Sequence, residues 1–226
     1  MTKGTNSNGS SAIEAVLFDF GGVFTESPFL AAHEAGIELG IDVDLAFELC
    51  FGSYHEDTDH PWHRLERGEM TLEDARRALV ELAAQRGLDV DPVDFLVRLA
   101  REDVQREEVV ERARAIRASG MRTALVTNNV VEFGEGWRSL VPVDELFDVV
   151  VDSCHAGVRK PDPRIYRLAL DALDAEPDKA VFLADHPANV AAAEALGMHG
   201  IVVGQDRLAA FDRLDELLGT TSPANE

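Results

Sequence analysis

The chain has 226 residues, 46% of them hydrophobic and 28% charged, enough for one α/β domain with an insertion or two small domains, and an ordinary soluble composition. Acidic residues (42) outnumber basic ones (21), and the resulting charge of −21 repels polyanions, so no nucleic-acid partner is expected. No apolar run approaches the ~20 residues that span a bilayer, and Cys50 and Cys154 are too few for a disulfide framework; no membrane partner is expected, and the expected location is the cytoplasm.

Residues 1–11, rich in Gly, Ser, Asn and Thr without an apolar stretch, read as an N-terminal tail and not as a secretory signal. Short apolar or β-branched runs follow at 15–18, 122–126, 147–151, 180–184 and 199–203. Each is closed by polar, Gly or Pro residues, which suits strands buried on both faces of a parallel sheet. Helical patterns at 131–140, 164–173, 189–196 and 208–218 alternate with the last four strands. Asp162 and Pro163 form the start signal of the second of these. This alternation implies right-handed βαβ units and a doubly wound sheet.

The first interval departs from that rhythm. About a hundred residues separate the strand at 15–18 from the next, too many for a single crossover helix. The interval reads as helices over 29–40, 45–51, 72–86, 93–102 and 108–119, with Thr71 and Asp74 marking a start and Gly87 and Gly120 marking stops. The expected organisation is an α/β core over 12–27 and 104–218, a helical insertion over 28–103, and tails at 1–11 and 219–226. No internal repeat is present, and nothing in the sequence specifies an oligomeric state.

Ligands of open parallel sheets sit beyond the carboxyl ends of the strands, near the point where strand order reverses. The residues at those ends are Asp19, Thr127 and Asp185, with Lys160 following the third strand. Any one of them has a bland reading as a strand terminator. Together they bring two carboxylates, a hydroxyl and an ammonium to one rim.

The stretches VLFDFGGVF (16–24), ALVTNN (124–129), GVRKPDPRIY (157–166) and VFLADHPANVAAAEALGM (181–198) resemble the four successive motifs of haloacid dehalogenase (HAD) superfamily hydrolases. The insertion resembles that superfamily's helical C1-type cap, as in its subfamily IA. The resemblance implies a doubly wound, Rossmann-like α/β core and a phosphatase acting on a small phosphorylated metabolite. It makes Asp19 the nucleophile that forms an aspartyl-phosphate, and Asp19, Asp185 and the carbonyl of Gly21 the ligands of Mg²⁺. It assigns Thr127 and Asn128 to phosphoryl binding and Lys160 to charge neutralisation and catalysis. Asn129 and Asn189 read equally as turn formers or as site residues.

Two positions depart from the pattern. Gly21 stands where many of these phosphatases carry a second aspartate, the general acid-base, and Ala184 stands where an acidic residue often precedes the metal ligand. Three outcomes follow: a substrate with a good leaving group, a substitute acid among His186, Glu26 or a cap histidine such as His63, or a phospho-ligand-binding or regulatory protein with weakened catalysis. A 2-haloacid dehalogenase is the weaker enzyme reading, because residues 21–26 hold neither an aromatic at position 21 nor a basic halide cradle. The segment 53–69 contains His55, His60 and His63 at spacings that match no zinc pattern. It is expected to be a polar connection between helices, with Trp62, Arg64 and Arg67 as candidate substrate contacts.

Overall fold

The computed structural model of the chain describes residues 12–96, 106–134 and 136–220. Strands β1 (Ala15–Phe18), β2 (Arg122–Thr127), β3 (Val149–Asp152), β4 (Ala180–Ala184) and β5 (His199–Val202) form one parallel sheet in the order β3-β2-β1-β4-β5. The central strand β1 is AVLF, without a polar side chain, so both of its faces must be covered. Leu17 lies opposite Ala124 on one side and Phe182 on the other. The chain leaves β1 towards β2 and β3, then returns to place β4 on β1's other flank, so the order reverses at β1.

Among the described residues, five helices lie between β1 and the second half of the core: α1 (Pro28–Leu39), α2 (Val43–Phe51), α3 (Pro61–Glu66), α4 (Leu72–Gln85) and α5 (Pro92–Leu96). They share a core of their own, in which Ala32, Cys50, Phe51, Leu65, Ala75 and Leu79 are buried. Thr71 starts α4 as expected, its hydroxyl accepting the Asp74 N–H at 3.2 Å. The remaining helices are α6 (Arg106–Ala118), α7 (Val143–Leu146), α8 (Ser153–Ala156), α9 (Pro163–Leu173), α10 (Pro187–Ala195) and α11 (Arg207–Leu218). Helices α6 and α11 cover the face of the sheet that carries Val16, Phe18 and Leu183. Helices α9 and α10 cover the opposite face, with Leu17, Val126 and Phe182. Among the described residues no helix is long and apolar enough to cross a membrane.

Several expectations are corrected. The helix expected at 131–140 is two 3-10 turns, Val131–Phe133 and Trp137–Leu140, because Gly134 takes a φ of 49° and breaks the helical path between them. The third strand begins at Val149; Phe147 instead ends α7 and packs in the core. The polar connection at 53–69 contains α3, opened by Pro61 and capped by His60, whose Nδ1 accepts the Trp62 N–H at 3.3 Å. Of the helix expected at 93–102, residues up to 96 belong to α5. Residues 97–105, with the expected insertion–core junction, lie outside the described residues, as do 1–11 and 221–226.

Phe18 packs against Phe24, Phe147 and Phe211 at centroid distances of 5.8, 5.8 and 6.0 Å. Phe18→Ala removes the shared member of that cluster and is expected to lower stability by about 3–5 kcal/mol, read as a fall in the urea midpoint at constant m.

Candidate active site

The backbone brings the two expected carboxylates side by side. Asp19 N–H extends the β1–β4 ladder by donating to the Leu183 carbonyl at 2.8 Å, which sets Asp19 beside the end of β4, where Asp185 follows. The loop after Asp19 must then pass close to Asp185. Gly22 makes this possible: its φ is 73°, and a Cβ there would lie 2.2 Å from the Asp185 carboxyl. Asp19 Oδ1 accepts the Phe20 N–H at 2.7 Å and forms an ion pair with Lys160 Nζ.

Lys160 is held from both ends. Its ammonium also donates to the Val126 carbonyl at 2.7 Å, and its main chain is gripped by the Asn128 amide, whose Oδ1 accepts the Lys160 N–H at 2.8 Å while Nδ2 donates to the Lys160 carbonyl at 3.1 Å. The Asn128 side chain, expected to bind substrate, is thus occupied in positioning Lys160. Thr127 ends β2, 3% exposed and on the same cavity wall. Asn129 works as a turn former: its Oδ1 accepts the Val130 N–H, and its N–H donates to Ser153 Oγ, both at 2.9 Å. Asn189 is buried on the cavity lining with its Oδ1 free of hydrogen bonds within the chain.

The electrostatics of the pair suit a bound cation. Burial raises both carboxyls above their ordinary range; Asp185, pushed up to about 7, is also raised by the charge of Asp19. Two carboxylates that repel each other are relieved by a hard divalent cation, and carboxylate and carbonyl oxygens are the donors such an ion prefers. Asp19, Asp185 and the neighbouring Gly21 carbonyl fit that requirement. The acidic neighbour missing at Ala184 has a substitute that sequence reading missed. Ser27 precedes Pro28 like a helix cap, yet its hydroxyl makes no capping bond and donates to Asp185 Oδ2 at 2.6 Å.

A cavity of about 450 Å³ opens onto Asp19, Thr127, Lys160 and Asp185. Its core side includes Phe20, Phe133 and Trp137; Phe29, Phe51, Tyr54, Trp62 and Glu66 of the helical insertion line it as well. Of the three expected substitutes for the missing acid, Glu26 lies on this cavity. His186 does not: it caps α10, Nδ1 accepting the Ala188 N–H at 3.2 Å, and its ring is packed among Phe29, Phe47 and Tyr54. That burial lowers its pKa to about 4. His63 is buried within the insertion, and Arg64 is half exposed beside Glu69; neither lines the cavity. Arg67 is likewise committed elsewhere, to Asp57 and Glu69.

The histidine segment serves a buried ion pair. Arg159, fully buried next to Lys160, donates from Nε to Glu66 Oε2 at 2.7 Å, and its guanidinium lies 5.0 Å from the Tyr54 ring centroid. Trp62 Nε1 donates to Glu66 Oε1 at 2.8 Å. His63 Nδ1 accepts the Thr58 N–H at 3.0 Å, which leaves the ring proton on Nε2. Among the described residues the three histidines form no metal-ligating cluster; the group with that spacing is Asp152, Cys154 and His155. There burial pushes the Cys154 thiol up to about 12, so it stays protonated.

A family model described as haloacid dehalogenase-like hydrolase matches residues 13–197, and the chain belongs to that family of hydrolases. It is 36% identical over 217 residues to acyl-CoA dehydrogenase family member 10 of Mus musculus, a match that covers 94% of this chain and 20% of that protein. The chain therefore spans about a fifth of that relative's length. It is also 26% identical over 214 residues to the sesquiterpene phosphatase astK of Aspergillus oryzae, covering 92% and 98% of the two chains. Its fold is that of a HAD family enzyme of Bacteroides thetaiotaomicron solved with magnesium and inorganic phosphate, with a TM-score of 0.59, 17% identity, and coverage of 86% and 96%.

Removing one partner of the Arg159–Glu66 pair leaves the other charge buried. Glu66→Leu is expected to cost about 3–5 kcal/mol, and Glu66→Leu combined with Arg159→Met to recover most of it; a double-mutant cycle in urea reads the difference. The buried histidines set a pH dependence. Burial, followed by the charge of Arg159, lowers His60 to about 4 and His63 to about 3 from 6.5. The folded state thus binds fewer protons than the unfolded one below about pH 6.5, so stability is full above that pH and falls as pH drops towards the folded pKa values. The slope is at most about 1.4 kcal/mol per pH unit for each ring. Asp185, pushed up to about 7, acts in the opposite sense over the same range, so the ring is read by difference: from pH 7.5 to 5 the urea midpoint of the parent chain should lose ground relative to that of His63→Gln.

Proposed function

We propose that the chain is a Mg²⁺-dependent phosphatase that hydrolyses a small phosphate monoester through an aspartyl-phosphate on Asp19. The observation that carries this reading is the buried contact of Lys160 Nζ with Asp19, beside Asp185 and Thr127, at the point where strand order reverses. The likeness to a sesquiterpene phosphatase, and to the fold of an enzyme that holds magnesium and phosphate, supports it. Mg²⁺ held by Asp19, Asp185 and the Gly21 carbonyl would neutralise phosphoryl oxygens.

The chain's own residues account for the remaining roles. The Asp19 carboxylate, oriented by the Phe20 N–H, attacks phosphorus as the bond to the leaving oxygen breaks. Lys160 and the Thr127 hydroxyl stabilise charge on the phosphoryl oxygens, the positioning and electrostatics that phosphoryl transfer depends on. Water then attacks the phosphorus of the acyl-phosphate, releasing inorganic phosphate and restoring Asp19.

The leaving alcohol needs a proton that position 21 does not supply. Pro28 Cδ would lie 3.3 Å from a Cβ at Gly21, so the ring that opens α1 crowds the space an aspartate would use. Glu26 is the carboxyl we assign to that task, since Glu66 on the same cavity is already paired with Arg159. The helical insertion acts as a lid that excludes water and selects the substrate.

The test is phosphate release with Mg²⁺ across acyl, aryl and alkyl phosphates. Asp19→Asn is expected to lose roughly 10³-fold or more, and chelation by EDTA to abolish release until Mg²⁺ is restored; release that persists in Asp19→Asn overturns the reading. Glu26→Gln should lower kcat/KM on alkyl phosphates by about 10²–10⁴, with a smaller loss on acetyl phosphate, whose leaving group needs no proton. Ser27→Ala should raise the Mg²⁺ concentration for half-maximal rate by about 10–100-fold, measured by Mg²⁺ titration of the rate.

A further inference from the structure

We infer that the alcohol released at this site is apolar and uncharged: the cavity takes a monophosphate ester of an alkyl or aryl alcohol. The inference rests on the phosphatase reading and names its substrate class.

Away from the reaction end the cavity is walled by rings on two sides. Phe20 meets Trp137 edge-on at 5.1 Å on the core side, and Phe51 meets Phe29 and Trp62 edge-on at 5.5 and 5.6 Å on the insertion side. Cavities of this size bury most of a small organic ligand, and such walls reward apolar area.

Apart from Asn189 Oδ1 and the Glu26 carboxyl, the polar atoms on the lining are largely committed within the protein. Both Glu66 oxygens accept hydrogen bonds, from Trp62 and Arg159, and the Asn128 amide is closed onto the Lys160 backbone. Asn129 Oδ1 is taken by Val130, and Arg106 Nε donates to the Phe24 carbonyl at 3.2 Å. A sugar phosphate or nucleotide would bury hydroxyls or a base edge against groups that have little left to offer, which costs about 1–3 kcal/mol for each unmet polar group.

The mouth is apolar too. Phe133 and Leu140 line the cavity yet are 44% and 43% exposed, on the two 3-10 turns that follow Thr127. Large apolar side chains held in water at a cavity rim are accounted for when the ligand covers them.

The test uses the whole chain with Mg²⁺ and the n-alkyl phosphates from ethyl to hexyl, against glycerol phosphate, glucose 6-phosphate and adenosine monophosphate. The expected result is a kcat/KM that rises roughly fourfold for each methylene added, with hexyl phosphate at least about 100-fold above the polar esters. A flat alkyl series, or a polar ester that outruns hexyl phosphate, overturns the inference. Phe133→Ser, at a half-exposed position that spares the core, should compress the hexyl-to-ethyl ratio about tenfold; an unchanged ratio overturns the assignment of this wall to the tail. Calorimetry on Asp19→Asn separates the two readings. Hexylphosphonate binding at least about tenfold tighter than methylphosphonate supports the apolar site even if no ester is hydrolysed, a result that would sink the phosphatase reading alone. Equal binding of the two phosphonates overturns the apolar site whatever the turnover.

Discussion

Asp19, buried, and Asp185, partly exposed, are held side by side at the ends of adjacent parallel strands, and much of the surrounding structure follows from that arrangement. The Asp19 N–H is tied to Leu183, which fixes the main chain of Asp19 beside the end of β4. Repulsion and desolvation then have to be offset locally. Lys160 does this for Asp19, and the Ser27 hydroxyl does part of it for Asp185. Gly22 gives the close approach its backbone path. A site built in this way is short of positive charge, which the Mg²⁺ of the proposed phosphatase would supply.

The same segment that delivers Lys160 to Asp19 also anchors the helical insertion. Arg159 is its immediate neighbour and is fully buried against Glu66 and Tyr54 of the insertion. Two further contacts close the joint. Glu132, on the turn after β2, accepts the Leu72 N–H at 2.6 Å, and Gly68 lies so close to α8 that a Cβ there would sit 2.3 Å from the Cys154 carbonyl oxygen. The lysine paired with Asp19 and the arginine that anchors the insertion are therefore consecutive residues. In the proposed phosphatase, a displacement of the insertion would reach Lys160 through a single peptide bond.

The fold and the reactive rim were legible in the sequence because both are written in local patterns. Continuous apolar runs report strands buried on two faces, and the residue after each run reports the rim; this locates Asp19, Thr127 and Asp185 at their strand ends. Ranges failed where local propensity was weak or glycine intervened, as at 131–140, where Gly134 turns an expected helix into two 3-10 turns. Partnerships between distant residues left no such trace. Ser27 carried no mark in the sequence, although its hydroxyl bonds Asp185, 158 positions away. Glu66 sat unmarked in a polar segment, since its role depends on Arg159, 93 positions further on. His186 looked available for acid catalysis because sequence does not disclose that its Nδ1 is spent capping α10.

The two missing acids have different physical explanations, and the difference bears on function. At Ala184 the lost side chain is replaced by a hydroxyl from another element, so the support for Asp185 is changed in kind but kept. At Gly21 nothing takes the same place, because Pro28 crowds it; the rings that begin with Pro28 and Phe29 instead carry the cavity wall over the nucleophile. Space that would serve a general acid has been given to an apolar wall. The proposed phosphatase would draw its proton from further along the lining, and Glu26, two residues before Pro28, is the carboxyl there outside the Asp19–Asp185 pair and the Arg159 ion pair. The proposed phosphatase would give up some acid catalysis at the reacting oxygen and gain binding energy from the rest of the ester. That exchange favours rate only when the leaving group has apolar surface to bury, because remote binding energy accelerates a reaction by holding the reacting atoms in place.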